Sequence, residues 1–129
     1  MPLQLTAAYH TTTGLREHNE DFMGMVTPAE PALSFKGMIA AIADGVSSSS
    51  GGREAAEFCV RALLTDYYAT PDTWPVTQSL DTVIKAINSR LQQQDASHAE
   101  RSGMATTLTA LVVRGKFYYF AHVGDTRLY

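Results

Sequence analysis

The run Gly37-Met38-Ile39-Ala40-Ala41-Ile42-Ala43 is continuously apolar and stops at Asp44-Gly45. A run this short, bounded by a turn pair, predicts a strand buried on both faces, ending where a carboxylate and a glycine are wanted. After it, Val46 and Ser47 to Gly52 form a polar loop. Arg53 to Tyr68 then places Ala56, Cys59, Leu63 and Tyr67 at helical spacing. Pro71 and Pro75 bracket a break around Trp74, and Leu80, Val83, Ile84, Ile87 and Leu91 recur along one face up to about Gln94. Thr77 or Ser79 is the expected N-cap of this second helix. Strand, loop, helix, helix is therefore the middle of the chain.

On either side the pattern is β. Leu3 to Thr12 and Asp21 to Thr27 read as strands around the polar loop Thr13 to Glu20, and Thr27 to Lys36, with Pro28 and Pro31, reads as a surface connection. Asp95 to Gly103 reads as a loop. Met104 to Val113 and Lys116 to Val123 are rich in Thr, Val, Tyr and Phe and are separated only by Arg114-Gly115, which predicts a tight hairpin. Strands, two consecutive helices and strands again favour an α+β class with antiparallel pairing over an alternating parallel sheet. At 129 residues and 45% hydrophobic, the chain suffices for one core, so residues 1–129 are expected to form part of one domain. It ends at Thr126-Arg127-Leu128-Tyr129, which reads as a strand just begun, so a longer parent protein is expected.

Composition excludes several function classes. A formal charge of −3 lacks the basic excess of a phosphate-backbone binder, so nucleic acid is not an expected partner. One cysteine rules out an internal disulfide framework and a cysteine-based zinc site, and fits a reducing, cytoplasmic location. No leader pattern and no run of ~18 apolar residues occurs, so neither export nor a membrane segment is encoded in this stretch.

Hard divalent cations take oxygen ligands, and three acidic positions stand beside glycine or polar loops at strand ends: Glu20-Asp21, Asp44-Gly45 and Gly124-Asp125. Asp-Gly alone often only makes a turn. Ser47 to Ser50 lack the closing glycine of a nucleophile elbow, and Gly51-Gly52-Arg53 is not followed by the Lys-Ser or Lys-Thr of a phosphate-binding loop. His10, His18, His98 and His122 form no defensible ligand spacing, and Cys59 reads as a packing thiol.

Taken in order, Arg16-Glu17-His18-Asn19-Glu20-Asp21, Ala43-Asp44-Gly45 with Gly51-Gly52-Arg53-Glu54-Ala55-Ala56, Gly103-Met104-Ala105-Thr106-Thr107 and Val123-Gly124-Asp125-Thr126-Arg127-Leu128-Tyr129 are four separated motifs. The series resembles the N-terminal half of the metal-dependent protein serine/threonine phosphatases of type 2C, in their smaller bacterial form. The resemblance implies an α-β-β-α sandwich, of which this chain is a part: antiparallel sheets flanked by helices, with a dinuclear Mg²⁺ or Mn²⁺ site at one end. Asp44 resembles the metal-bridging carboxylate, Gly45 the residue lending its carbonyl to one ion, Glu20 an acid on that ion or its water shell, and Asp21 its supporting partner. Arg16 resembles the arginine that grips the substrate phosphate, and Asp125 the acid that some members use for a third metal.

The implied reaction has no covalent phosphoenzyme: water activated between two ions attacks phosphorus in line with the departing serine or threonine oxygen. The implied partners are a phosphoprotein substrate and an opposing serine/threonine kinase. Two departures stand out. Val46 occupies the place where many members carry a histidine after Asp-Gly and cannot donate a proton, and the family's two further ligating aspartates fall in its C-terminal half. Two rival expectations follow, a catalytically silent signalling or interaction module with the same fold, and a nucleotide-binding domain using the Gly-Ser loop.

Overall fold

The computed structural model describes residues 6–8, 10, 12, 14, 21–45, 52–97 and 106–123. Seven elements follow one another: β1 (Asp21–Val26), α1 (Ala32–Lys36), β2 (Met38–Asp44), α2 (Gly52–Ala69), α3 (Val76–Ser97), β3 (Leu108–Arg114) and β4 (Phe117–Val123). The strands form one sheet in the order β1-β2-β3-β4, antiparallel throughout. The expected α+β class with antiparallel pairing is what the chain adopts.

Each strand sends alternate residues to the helices. Ile39, Ala41 and Ala43 of β2 and Leu108, Ala110 and Val112 of β3 meet Ala56, Cys59, Val60, Leu63 and Tyr67 of α2 and Leu80, Val83 and Ile87 of α3. The helical spacing legible in the sequence is thus the spacing of the buried stripe. The hairpin between β3 and β4 turns on Gly115-Lys116 rather than Arg114-Gly115, because Arg114 pairs with Phe117. Gly115 has φ +60°, and among the described residues no non-glycine residue has positive φ, the pattern of a two-residue turn with glycine in its first central position.

Several expectations need correction. β2 is not buried on both faces along its length: on the face away from α2 and α3, Met38 is buried but Ala40 is half-buried and Ile42 is 37% exposed. That face holds a shallow apolar hollow of about 240 Å³ that includes Met23, Met25, Ile42 and Leu111. The stretch with Pro28 and Pro31 contains the short helix α1. α3 runs to Ser97, through part of the expected loop. Neither Thr77 nor Ser79 caps it: Ser79 N–H donates to Pro75 O, so Pro75 takes the cap position, while the Ser79 hydroxyl accepts from Thr70. Of the strand expected at 3–12, the described residues Thr6, Ala7, Ala8, His10 and Thr12 carry no regular structure.

Lys36 is 3% exposed, an unusual place for a lysine. Its ammonium donates to Tyr67 O, Thr70 Oγ1 and Pro71 O, closing the C-terminal end of α2, and stands 5.2 Å from the centre of the Tyr67 ring. The Tyr67 hydroxyl returns a bond to Lys36 O at 2.6 Å, and Tyr68 donates to Gly37 O at 2.8 Å. Desolvation pulls the Lys36 pKa below the ordinary lysine value, with Asp72 opposing.

Burial also pushes the Cys59 thiol up to about 11, the Tyr67 phenol up to about 12, and the Tyr68 phenol further above its ordinary value. These three groups hold their protons longer in the fold than in the unfolded chain, so their contribution to stability is intact below the unfolded values near 9 and 10 and is lost as pH climbs toward the folded ones. Lys36 acts in the opposite sense over its own window, one group against three. The urea midpoint should therefore fall steadily between about pH 9 and 11; a flat profile there would show that these groups are solvated.

Candidate active site

β1 and β2 pair so that Asp21 stands directly opposite Asp44. Residues paired in this way point to the same face, with Cβ atoms about 4.5–5.5 Å apart. Strand alternation puts both carboxylates on the face away from the helices, since their neighbours Phe22 and Ala43 pack in the core. Asp21 and Asp44 are half-buried. Two like charges opposed across a sheet repel, and a divalent cation beside them turns that repulsion into attraction.

Gly45 extends this end of the sheet. It forms an isolated bridge with Thr106, and a Cβ built on it would lie 2.1 Å from the backbone oxygen of Gly52, the first residue of α2. The need for glycine here is spatial: the strand end and the helix start touch backbone to backbone. Gly45→Ala should destabilise the fold by about 1–3 kcal/mol, because the added methyl meets backbone rather than a flexible side chain and one of the two must shift, and a thermal midpoint unchanged from wild type would contradict this packing.

Thr107 holds the other side of the Asp44–Gly45 step. Its N–H donates to Asp44 O at 2.9 Å, and its hydroxyl accepts from Asp44 N–H at 3.2 Å and donates to Asp44 O at 3.4 Å. Thr106 Oγ1 donates to Thr107 O at 2.8 Å. Thr106 and Thr107 stand in the third of the four sequence motifs, where their only signal is a Thr pair within a β-rich run.

Of the expected site residues, the structure brings together Asp21, Asp44 and Gly45. Arg16, Glu20 and Asp125 lie outside the described residues, as do Val46 and the serines 47–50. Among the described residues no three of His, Cys, Asp and Glu cluster closely enough to enclose a metal ion. What they offer is an opposed carboxylate pair next to a main-chain carbonyl on a clamped strand end. All are hard oxygen donors, the chemistry that Mg²⁺ and Mn²⁺ take. Cys59 is buried and His122 bonds to Thr109 Oγ1 at 2.8 Å, so neither belongs to this site.

Comparison with known proteins agrees with the fold and the motifs. The protein phosphatase 2C family model matches residues 10–129. The serine/threonine phosphatase stp of Listeria innocua is 30% identical over 128 residues, covering 95% of this chain and 48% of that protein. The serine/threonine protein phosphatase PstP of Mycobacterium tuberculosis is 33% identical over 91 residues, covering 69% of this chain and 17% of that protein. Among solved structures, the serine/threonine phosphatase Stp1 of Staphylococcus aureus superposes with a TM-score of 0.79 at 27% identity, over 97% of this chain and 48% of that one. The chain spans about half the length of the Listeria and Staphylococcus proteins.

Proposed function

The chain belongs to the protein phosphatase 2C family, and from that premise we propose that it supplies one half of a metal-dependent phosphatase site acting on phosphoserine and phosphothreonine in proteins. The observation that carries this reading is the Asp21–Asp44 pair, opposed at the strand end beside Gly45. Asp44 would be the main carboxylate ligand of the Mg²⁺ or Mn²⁺ pair, and Gly45 would lend its main-chain carbonyl. Glu20 would act on the water shell or coordination sphere of the same ion with Asp21 as its supporting partner, and Asp125 would serve a third metal. When bound, the metal pair supplies activation of water and neutralisation of phosphoryl charge.

The chain's own residues do the rest. Arg16 presents a planar, permanently charged fork to two non-bridging phosphate oxygens and orients the ester. Asp44 stays in place because its main chain is held by Thr107 and its neighbour Gly45 abuts α2. Val46 has no proton to give, so water or another group must protonate the leaving oxygen. A phosphoprotein made by a serine/threonine kinase is the matching substrate, and a cytoplasmic setting suits both that substrate and the lone, buried Cys59. Among the described residues no helix is long and apolar enough to cross a membrane.

The test is phosphate release from a phosphothreonine peptide with Mn²⁺, by residues 1–129 alone and by the same chain fused to the other half of the Listeria relative. Hard cations seek about six oxygens, more than Asp44, Gly45 and the acids beside them provide for two ions. The fusion should turn over with Mn²⁺ and stop with chelator, and the 1–129 chain should be far slower. Metal-independent release by the fusion would overturn the reading, and a folded fusion with no release would favour a silent interaction module.

A further inference from the structure

We propose that Thr107 is a positioning residue for the metal site: its side chain and main chain together fix the direction in which Asp44 points its carboxylate. This rests on the reading of Asp44 as a metal ligand. The geometry is specific. The direction of a Cα–Cβ bond is set by the two peptide planes that flank the residue, and Thr107 holds both of those flanking Asp44. The plane before it is held by Asp44 N–H donating to Thr107 Oγ1 at 3.2 Å. The plane after it is held by Asp44 O, which accepts from Thr107 N–H at 2.9 Å and from the Thr107 hydroxyl at 3.4 Å.

That second plane also contains the Gly45 nitrogen, so the hold extends into the residue assigned to lend its carbonyl. Thr106 adds a bridge to Gly45, and Gly45 is stopped on its other side by Gly52. The hydroxyl is the part that can be removed alone. Thr107→Val keeps the branched shape and the main-chain N–H but leaves Asp44 N–H without its acceptor and removes one of the two bonds to Asp44 O. The carboxylate should then sample directions that do not meet a cation, as happens when groups that orient metal ligands are lost.

Two measurements on the fusion protein test this without using activity. The first is Mn²⁺ binding followed by electron paramagnetic resonance, for wild type, Asp44→Asn, Thr107→Val, Thr107→Ser and Thr107→Ala. Asp44→Asn should lose Asp44-dependent binding, Thr107→Val and Thr107→Ala should bind about tenfold or more weakly, and Thr107→Ser, which keeps the hydroxyl, should lie near wild type. The second is hydrogen exchange by NMR, where Thr107→Val should speed exchange of the Asp44 amide and leave those of Ile39 and Val112 unchanged.

Failure takes distinguishable forms. If wild type shows no Mn²⁺ binding that Asp44→Asn removes, the metal reading falls and this proposal with it. Binding that is lost in Asp44→Asn but kept at wild-type strength in both Thr107→Val and Thr107→Ala overturns the proposal alone. Equal weakening in Thr107→Ser and Thr107→Val also overturns it, since the hydroxyl would then not be the group that matters. Should Thr107→Val fold poorly, Thr107→Ala against Thr107→Ser gives the same decision.

Discussion

Asp44→Ala is expected to lower kcat/KM for a phosphothreonine peptide at least about a thousandfold, roughly 4 kcal/mol of transition-state stabilisation. The fold should survive the change. Asp44 is half-buried, lies outside the apolar cluster between sheet and helices, and faces Asp21 across the β1–β2 ladder. Removing one of two opposed like charges relieves repulsion of a few tenths of a kcal/mol or more. Asp44→Asn should therefore raise the thermal midpoint slightly in metal-free buffer while abolishing turnover. Steady-state kinetics of the active fusion and thermal melts of the 129-residue chain check the two halves of this expectation. Activity within about threefold of wild type would remove Asp44 from the bridging role, since a shared metal ligand cannot be dispensable at that level.

Lys36→Met carries the largest expected effect on stability. Methionine keeps the unbranched stem but withdraws the donor from Tyr67 O, Thr70 Oγ1 and Pro71 O. Tyr67 O keeps its bonds from Thr70 N–H and Thr70 Oγ1, so what is lost is the set of bonds from a charged donor, which contribute about 1.5–3 kcal/mol each. Water can reach the exposed side of Pro71, so a total of about 2–4 kcal/mol is expected, or a fall of roughly 10 °C in the thermal midpoint. Lys85→Met is the matched control: Lys85 pairs with Asp81 one helical turn away, with side chains 76% and 63% exposed. Such pairs contribute about 0–1 kcal/mol, so its midpoint should barely move. A fall of less than about 1 °C for Lys36→Met would mean that the cluster around Tyr67 holds the α1–α2 junction without the ammonium.

The contrast between Lys36 and the helices shows where sequence reasoning reached and where it stopped. α2 was legible because Ala56, Cys59, Leu63 and Tyr67 repeat at a spacing that only one helical face satisfies, and those residues are the ones buried. Lys36 was not, because a lysine beside two prolines reads as surface, and what buries it comes from residues 31 to 35 positions away. α1 is not legible for a related reason: five residues hold too few turns for a periodicity to register. The apolar run of β2 gave the strand but not its environment, since a continuous apolar stretch does not say which face a helix covers.

The site divides in the same way. Asp44-Gly45 stood out as a carboxylate and a glycine at the end of a strand, and Asp21 as an acid at the start of another. The antiparallel register that sets the two carboxylates opposite each other is a property of the sheet. Thr107 lies 63 residues from Asp44, so its hold on the Asp44 main chain is invisible until β3 pairs with β2. Family motifs fill this gap in part, since they record which residues meet without saying how.

Whether Asp44 holds the metal is decided by a crystal of the fusion protein grown with Mn²⁺, with anomalous diffraction used to locate the ions. A peak is expected about 2.0–2.2 Å from an Asp44 carboxylate oxygen, with the Gly45 carbonyl in the same coordination sphere and Asp21 directly or through water beside it. Well-ordered Mn²⁺ bound elsewhere, with no ion on Asp44 in a protein whose activity requires the metal, would contradict this expectation.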